Sequence, residues 1–130
     1  MIYCADTDFL IDLKDQDGKA IAKMEELESK GEAVSTTAIN IAEFYYGVYR
    51  SNDKERALGD ANKLLEPFAV LNLNFGSARL YGELAGKLKS NMISPLDLLI
   101  ASIALANKQT LITRNVKHFE RVPNLQVEGW

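Results

Sequence analysis

Ile2-Tyr3-Cys4-Ala5-Asp6-Thr7-Asp8-Phe9-Leu10-Ile11 is the stretch on which the fold turns. Ile2 to Ala5 is an apolar run of strand length, and a carboxylate follows it at once. A strand covered on both faces is apolar throughout, so Ile2 to Ala5 reads as a buried strand. A helix is expected to follow within Asp8 to Asp15. Apolar runs alternate with longer amphipathic segments along the rest of the chain.

Working outward, a helix is expected from about Gly18 to Lys30 and a second strand over Glu32 to Ser35. Thr37 can cap a helix running to about Arg50, with Ile41, Phe44, Tyr45 and Val48 at helical spacing. Asn52 to Leu65 reads as a charged helix. Pro67 marks a break before a strand at Ala69 to Leu73. Asn74 can cap a helix reaching about Ser90. Ser94 then caps another, with Pro95 in the first turn, where its missing N–H costs nothing. That helix, Leu96 to Asn107, is apolar around most of its circumference and should be buried. Thr110 to Thr113 reads as a fourth strand and Gln126 to Glu128 as a short edge strand. Strands separated by helices imply an α/β fold with parallel pairing and helices on both faces. Ligands of such sheets sit beyond the carboxyl ends of the strands. Asp6 and Asn115 fall just past strand ends, and Asp97 opens a helix, so the three can converge on one crevice.

A chain of 130 residues is expected to form a single domain spanning 1–130, and 47% hydrophobic residues suffice for a core without staples. Fifteen Lys and Arg against eighteen Asp and Glu give a formal charge of −3, which argues against a broad basic footprint for nucleic acid. A nuclease built on clustered carboxylates is not excluded, because bound cations reverse the local sign. Cys4 is the one cysteine; it sits in an apolar run and reads as a small core residue. Without a disulfide framework or a signal-peptide pattern at the N-terminus, a cytoplasmic protein is expected. The run Leu98 to Ala106 is too short to span a bilayer.

Asp6 follows a strand, where an unpaired buried carboxylate would be costly. It reads either as a helix cap or, if Thr7 and Asp8 share the capping, as a cation ligand. Glu43 lies among apolar neighbours, with Ile39 and Tyr46 on its stripe, which places it on or near the buried face; a solvent-facing residue is the alternative. Asp97 stands three residues after Ser94, as in a shortened capping box, but ahead of the apolar Leu98-Leu99-Ile100-Ala101. Thr113 and Asn115 can shape a turn, and Asn115 can also offer a neutral oxygen to a metal or its water. His118 reads as an ordinary solvated side chain. No nucleophilic triad and no zinc-type spacing is present. Together the carboxylates offer oxygen ligands without soft donors, which suits Mg²⁺, with Mn²⁺ as a substitute.

The stretches Ala5-Asp6-Thr7-Asp8-Phe9-Leu10-Ile11, Ser35-Thr36-Thr37 through Ala42-Glu43-Phe44-Tyr45-Tyr46-Gly47, Ser94-Pro95-Leu96-Asp97-Leu98-Leu99-Ile100-Ala101 and Leu111-Ile112-Thr113-Arg114-Asn115-Val116-Lys117-His118-Phe119 resemble the successive motifs of PIN-domain ribonucleases. The ending Arg121-Val122-Pro123-Asn124-Leu125 through Trp130 resembles VapC-type toxins. The resemblance implies a PIN-like fold with a central parallel five-stranded sheet flanked by helices. It implies a catalytic metal site of Asp6, Glu43 and Asp97, with Asn115 at the fourth position where many PIN domains carry Asp. Asp8 departs from the Asn or Ser common two residues after the first Asp.

The implied activity is endonucleolytic hydrolysis of RNA phosphodiester bonds by the toxin of a type II toxin–antitoxin pair. The implied partners are a small DNA-binding antitoxin and a second copy of the chain. Tyr45, Tyr46 and Tyr49 are candidates for the homodimer contact, with packing into the chain's own core as the alternative. Thr7, Thr113 and Arg114 are candidate substrate contacts; a solvated arginine is the plain alternative for Arg114. Two rival readings remain. One is a PIN-like module that binds RNA or protein without cutting. The other is a haloacid-dehalogenase-type phosphatase, suggested by Asp6-Thr7-Asp8 but short for that fold.

Overall fold

A computed structural model describes residues 2–89 and 93–130. In chain order the elements are β1 (Tyr3–Ala5), α1 (Thr7–Lys14), α2 (Gly18–Ser29), β2 (Val34–Thr37), α3 (Ala38–Val48), α4 (Lys54–Leu65), β3 (Ala69–Leu71), α5 (Phe75–Lys87), α6 (Pro95–Ala106), β4 (Thr110–Ile112), α7 (Val116–Phe119) and β5 (Val127–Glu128). The strands form one parallel sheet in the order β3-β2-β1-β4-β5.

The period of two that defines a strand assigns its side chains to the two faces. Cys4 and Leu111 pack with Leu84, Leu98, Ala101 and Phe119 on one face, while Ala5 and Ile112 pack with Phe9, Leu27, Phe44 and Ala61 on the other. Cys4 lies opposite Ser35 on β2 and Leu111 on β4. Both faces of β1 are therefore covered, as its unbroken apolar run requires. Burial pushes the Cys4 thiol up to about 12, consistent with an inert core residue. α6 buries Leu98, Ile100, Ala101, Ser102, Ile103 and Ala104, and the Ser102 hydroxyl is satisfied by donating to the Leu98 carbonyl at 2.7 Å.

Differences from the sequence expectation are local. β2 runs from Val34 to Thr37 and not from Glu32. Gly31, at φ +74°, closes α2, and the Glu32 N–H donates back to the Leu27 carbonyl at 3.1 Å, so Glu32 still belongs to the turn. Asp53 caps α4, which starts two residues later than expected. β3 stops at Leu71, and α5 ends at Lys87; the expected end at Ser90 lies outside the described residues. A one-turn helix, α7, follows β4 at Val116–Phe119, where the sequence reading places no element. No helix among the described residues is long and apolar enough to cross a membrane.

The strand order positions the site. From β1 the chain moves outward to β2 and β3, then returns to the other side of β1 as β4. Connections diverging from neighbouring strands leave a crevice at their carboxyl ends. Asp6 and Thr113 are the first residues past β1 and β4, and the Asp6 N–H still donates to the Ile112 carbonyl at 2.9 Å.

Candidate active site

Asp6 is 6% exposed and is itself the N-cap of α1. The capping reading holds, and the two carboxylate oxygens have different partners. Oδ1 accepts from the Thr7 N–H and from Asn40 Nδ2, both at 2.9 Å, and Oδ2 accepts from Thr113 Oγ1 at 2.7 Å. Even so, burial holds its pKa above the ordinary value, and the nearby Asp97 charge pushes the same way.

Glu43 is half-buried on α3 and accepts from the Thr7 hydroxyl at 2.5 Å. Its pKa is raised, first by burial and then by the charges of Asp6 and Asp97, against the lowering effect of the Thr7 bond. The three carboxylates thus repel one another across a common space. Asp97 completes the group from the first turn of α6. Its N–H donates to Ser94 Oγ at 3.3 Å, but its carboxylate does not close the capping box; Oδ2 lies 3.0 Å from His118 Nε2. The carboxylates face each other without closing on one point: among the described residues no three Asp, Glu, His or Cys side chains stand at metal-ligand spacing.

His118 is therefore not the solvated side chain expected. The turn of α7 brings it back onto Asp97, and its edge packs against Phe119 with ring centroids 5.3 Å apart. Asn40 was missed altogether. It is fully buried and joins Asp6 and Thr7 through its amide. The signal was in the sequence: Asn40 lies three residues before Glu43, a buried amide in an otherwise apolar turn, and three after the Thr37 cap.

The expected substrate contacts are placed differently. Thr113 is fully buried and supports Asp6 with its hydroxyl while accepting the Asn115 N–H at 3.1 Å. The Thr7 hydroxyl is directed at Glu43. Arg114 is exposed but already partnered within the chain. It pairs with Asp12 at 2.5 Å and lies over the Trp130 ring, 5.7 Å from its centroid. Trp130 Nε1 donates to the same Asp12 at 3.1 Å, and its ring meets Phe9 edge-on. Asn115 is exposed at the start of α7 and makes no side-chain capping bond. Asp8 Oδ2 accepts the Arg114 N–H at 3.0 Å, while Asp8 Oδ1 is buried without a hydrogen-bond partner among the described residues.

The PIN-domain family model matches residues 3–125. This chain belongs to the PIN-domain family. It is 34% identical to ribonuclease VapC2 of Rickettsia felis, with 100% of this chain and 98% of that protein covered. It is 33% identical, over the same shares, to ribonuclease VapC1 of Haemophilus influenzae. A solved structure of VapBC2 from Rickettsia felis bound to a DNA fragment from their promoter contains a chain matching this PIN domain with a TM-score of 0.92. The identity there is 32%, covering 100% of this chain and 99% of that one.

The raised carboxylates determine how stability depends on pH. Burial, and then the Asp6 charge, lift Asp8 from 3.8 to about 6. Between those values the folded chain binds more protons than the unfolded chain, so stability falls as pH rises through the window. Without divalent ions, the melting temperature should be higher near pH 5 than near pH 7 (about two units apart on the Asp8 titration). Differential scanning calorimetry at the two pH values checks this; a higher melting point near pH 7 would contradict it. Asp8→Asn keeps an acceptor for the Arg114 N–H and removes the buried charge. It should raise stability near pH 7 by about 1 kcal/mol after allowance for solvent screening, and flatten the pH dependence.

Proposed function

We propose that this chain is a divalent-metal-dependent endoribonuclease, acting in the cytoplasm as one working domain and as the toxin of a type II toxin–antitoxin pair. The observation that carries the reading is that Asp6, Glu43 and Asp97 face one another at the carboxyl end of the sheet, where burial first, and then the neighbouring carboxylate charges, raise the pKa of Asp6 and Glu43. An all-oxygen donor set under mutual repulsion fits a hard divalent cation. Asp6, Glu43 and Asp97 would hold Mg²⁺, with Mn²⁺ able to substitute. Bound there, the ion would supply Lewis-acid stabilisation of charge on a phosphodiester and ease the deprotonation of water.

The chain's own residues do the rest. Thr113 and Asn40 fix the Asp6 oxygens, Thr7 fixes Glu43, and His118 steadies Asp97. Asn115 is the fourth member, exposed where an RNA strand can reach it. Arg114, tied to Asp12, contributes to the frame of the site. A net negative chain has little sequence-independent attraction for RNA, and a bound cation would offset the repulsion between the carboxylates and a phosphodiester.

Asp97→Asn tests the reading. Asn keeps the shape and an acceptor for His118 but lacks the charge. Mg²⁺-dependent RNA cleavage should fall about a hundredfold or more while the melting transition stays cooperative. Cleavage at the wild-type rate would remove Asp97 from the site.

The proposed partners are RNA, a small DNA-binding antitoxin like the one with which the Rickettsia felis relative is complexed on its promoter, and a second copy of this chain. Tyr45 packs into its own chain, donating to Asn62 at 2.5 Å, whereas Tyr46 and Tyr49 are 69% and 57% exposed. Exposed aromatic rings with polar tips are typical of interfaces. Tyr49→Glu should shift the mass measured by light scattering from dimer towards monomer. A wild-type chain already monomeric at high concentration would end the dimer proposal, and an unaffected dimer would remove Tyr49 from the contact.

A further inference from the structure

We propose that Asn40 is the positioning residue of this site, the junction of a one-way hydrogen-bond chain that starts at Thr37 and ends on Asp6 and Glu43. The inference rests on the ribonuclease reading for its consequence, but the polarity of the chain follows from geometry alone.

The orientation of the amide is decided by its neighbours. A backbone N–H can only donate, and that of Thr37 lies 3.3 Å from Asn40 Oδ1. The Thr37 hydroxyl, 2.6 Å from the same oxygen, accepts the Asn40 N–H at 3.1 Å and so directs its own proton to Oδ1. Nδ2 must then occupy the other side, where its two protons find two acceptors, Asp6 Oδ1 and Thr7 Oγ1, each at 2.9 Å. Since Thr7 Oγ1 accepts from Asn40, its single proton goes to Glu43 Oε1. Each link has one possible direction, and each of the polar side-chain atoms of Asn40 is used.

Asn40 is the third residue of α3 and closes a capping box with Thr37, but that box uses only its N–H and Oδ1. Its Nδ2 has no part in capping. From a fully buried position it reaches 33 and 34 residues back, to Thr7 at the start of α1 and to Asp6 just past β1. The chemistry is narrow. Aspartate at this position would accept from Thr37 equally well but would set an oxygen against Asp6 Oδ1 in place of a donor. Leucine would fill the space, leave Asp6 Oδ1 with the Thr7 N–H, and free the Thr7 hydroxyl to turn from Glu43. Asn40 therefore holds two carboxylates, one just past β1 and one on α3, in one relative arrangement without adding charge.

The test uses the full chain and Asn40→Leu, with three measurements: cooperative melting, the Mn²⁺ concentration giving half of the metal-induced rise in melting temperature, and kcat and KM on RNA. The expected result is a folded variant whose Mn²⁺ midpoint rises about tenfold and whose kcat falls by about ten- to a hundredfold, with KM little changed. A folded variant with a lower melting temperature but wild-type midpoint and kcat would show a purely structural residue and overturn the proposal. If Asn40→Leu fails to fold, Thr7→Val breaks the same chain one link later and should lower kcat to a similar extent; wild-type kcat there overturns it as well. A wild-type chain that binds Mn²⁺ but cuts no RNA would refute the ribonuclease reading alone, because the Mn²⁺ midpoint still decides the role of Asn40. A wild-type chain with no Mn²⁺ response overturns both.

Discussion

The buried carboxylate of Asp6 is the constraint on which the rest of the structure depends. An ionised group at the end of a central strand cannot remain without partners. Its partners come from three places: the Thr7 N–H at the start of α1, Asn40 on α3 and Thr113 after β4. Asn40 and Thr113 are far from Asp6 in sequence and reach it only because the chain reverses its direction of travel across the sheet at β1. The topology that opens the crevice also delivers the donors that make a carboxylate tolerable in it. Those donors do not cancel the effect of burial, since the pKa of Asp6 stays raised. A divalent cation would supply the missing counter-charge.

Asp97 shows the other half of the arrangement. α6 is buried on nearly every side from Leu98 to Ala104, so the helix is anchored directly behind Asp97. A rigid support lets Asp97 face Asp6 and Glu43 in spite of repulsion, and His118 restrains its outer oxygen. The unpartnered Asp8 Oδ1 carries a similar burden. Such local costs are tolerable in a small protein only where the apolar layers beneath are well filled, and here Phe9, Leu98, Ile103 and Phe119 are all fully buried.

Much of this was legible from the residues. The apolar run Ile2 to Ala5, the Ser94-Pro95 start and the Asn74 cap located β1, α6 and α5, because each depends on local chemistry. Asp6, Glu43 and Asp97 stood out as carboxylates in apolar surroundings. What escaped was long-range. His118 meets Asp97 only through α7, which at one turn is too short to leave a periodic signal. Arg114 looked free because Asp12 and Trp130, its partners, are distant in sequence. Asn40 is hidden for another reason: Ile39 and Tyr46, the neighbours on the Glu43 stripe, mark its surroundings as apolar, while the polar neighbour beside Ile39 carries the information.

Anomalous diffraction from crystals grown with Mn²⁺ tests the central claim most directly. A manganese peak bounded by oxygens of Asp6, Glu43 and Asp97, with Thr113 and Asn40 still bonded to Asp6, is the predicted result. A well-occupied manganese elsewhere on the chain, with these three carboxylates left without metal, would contradict it.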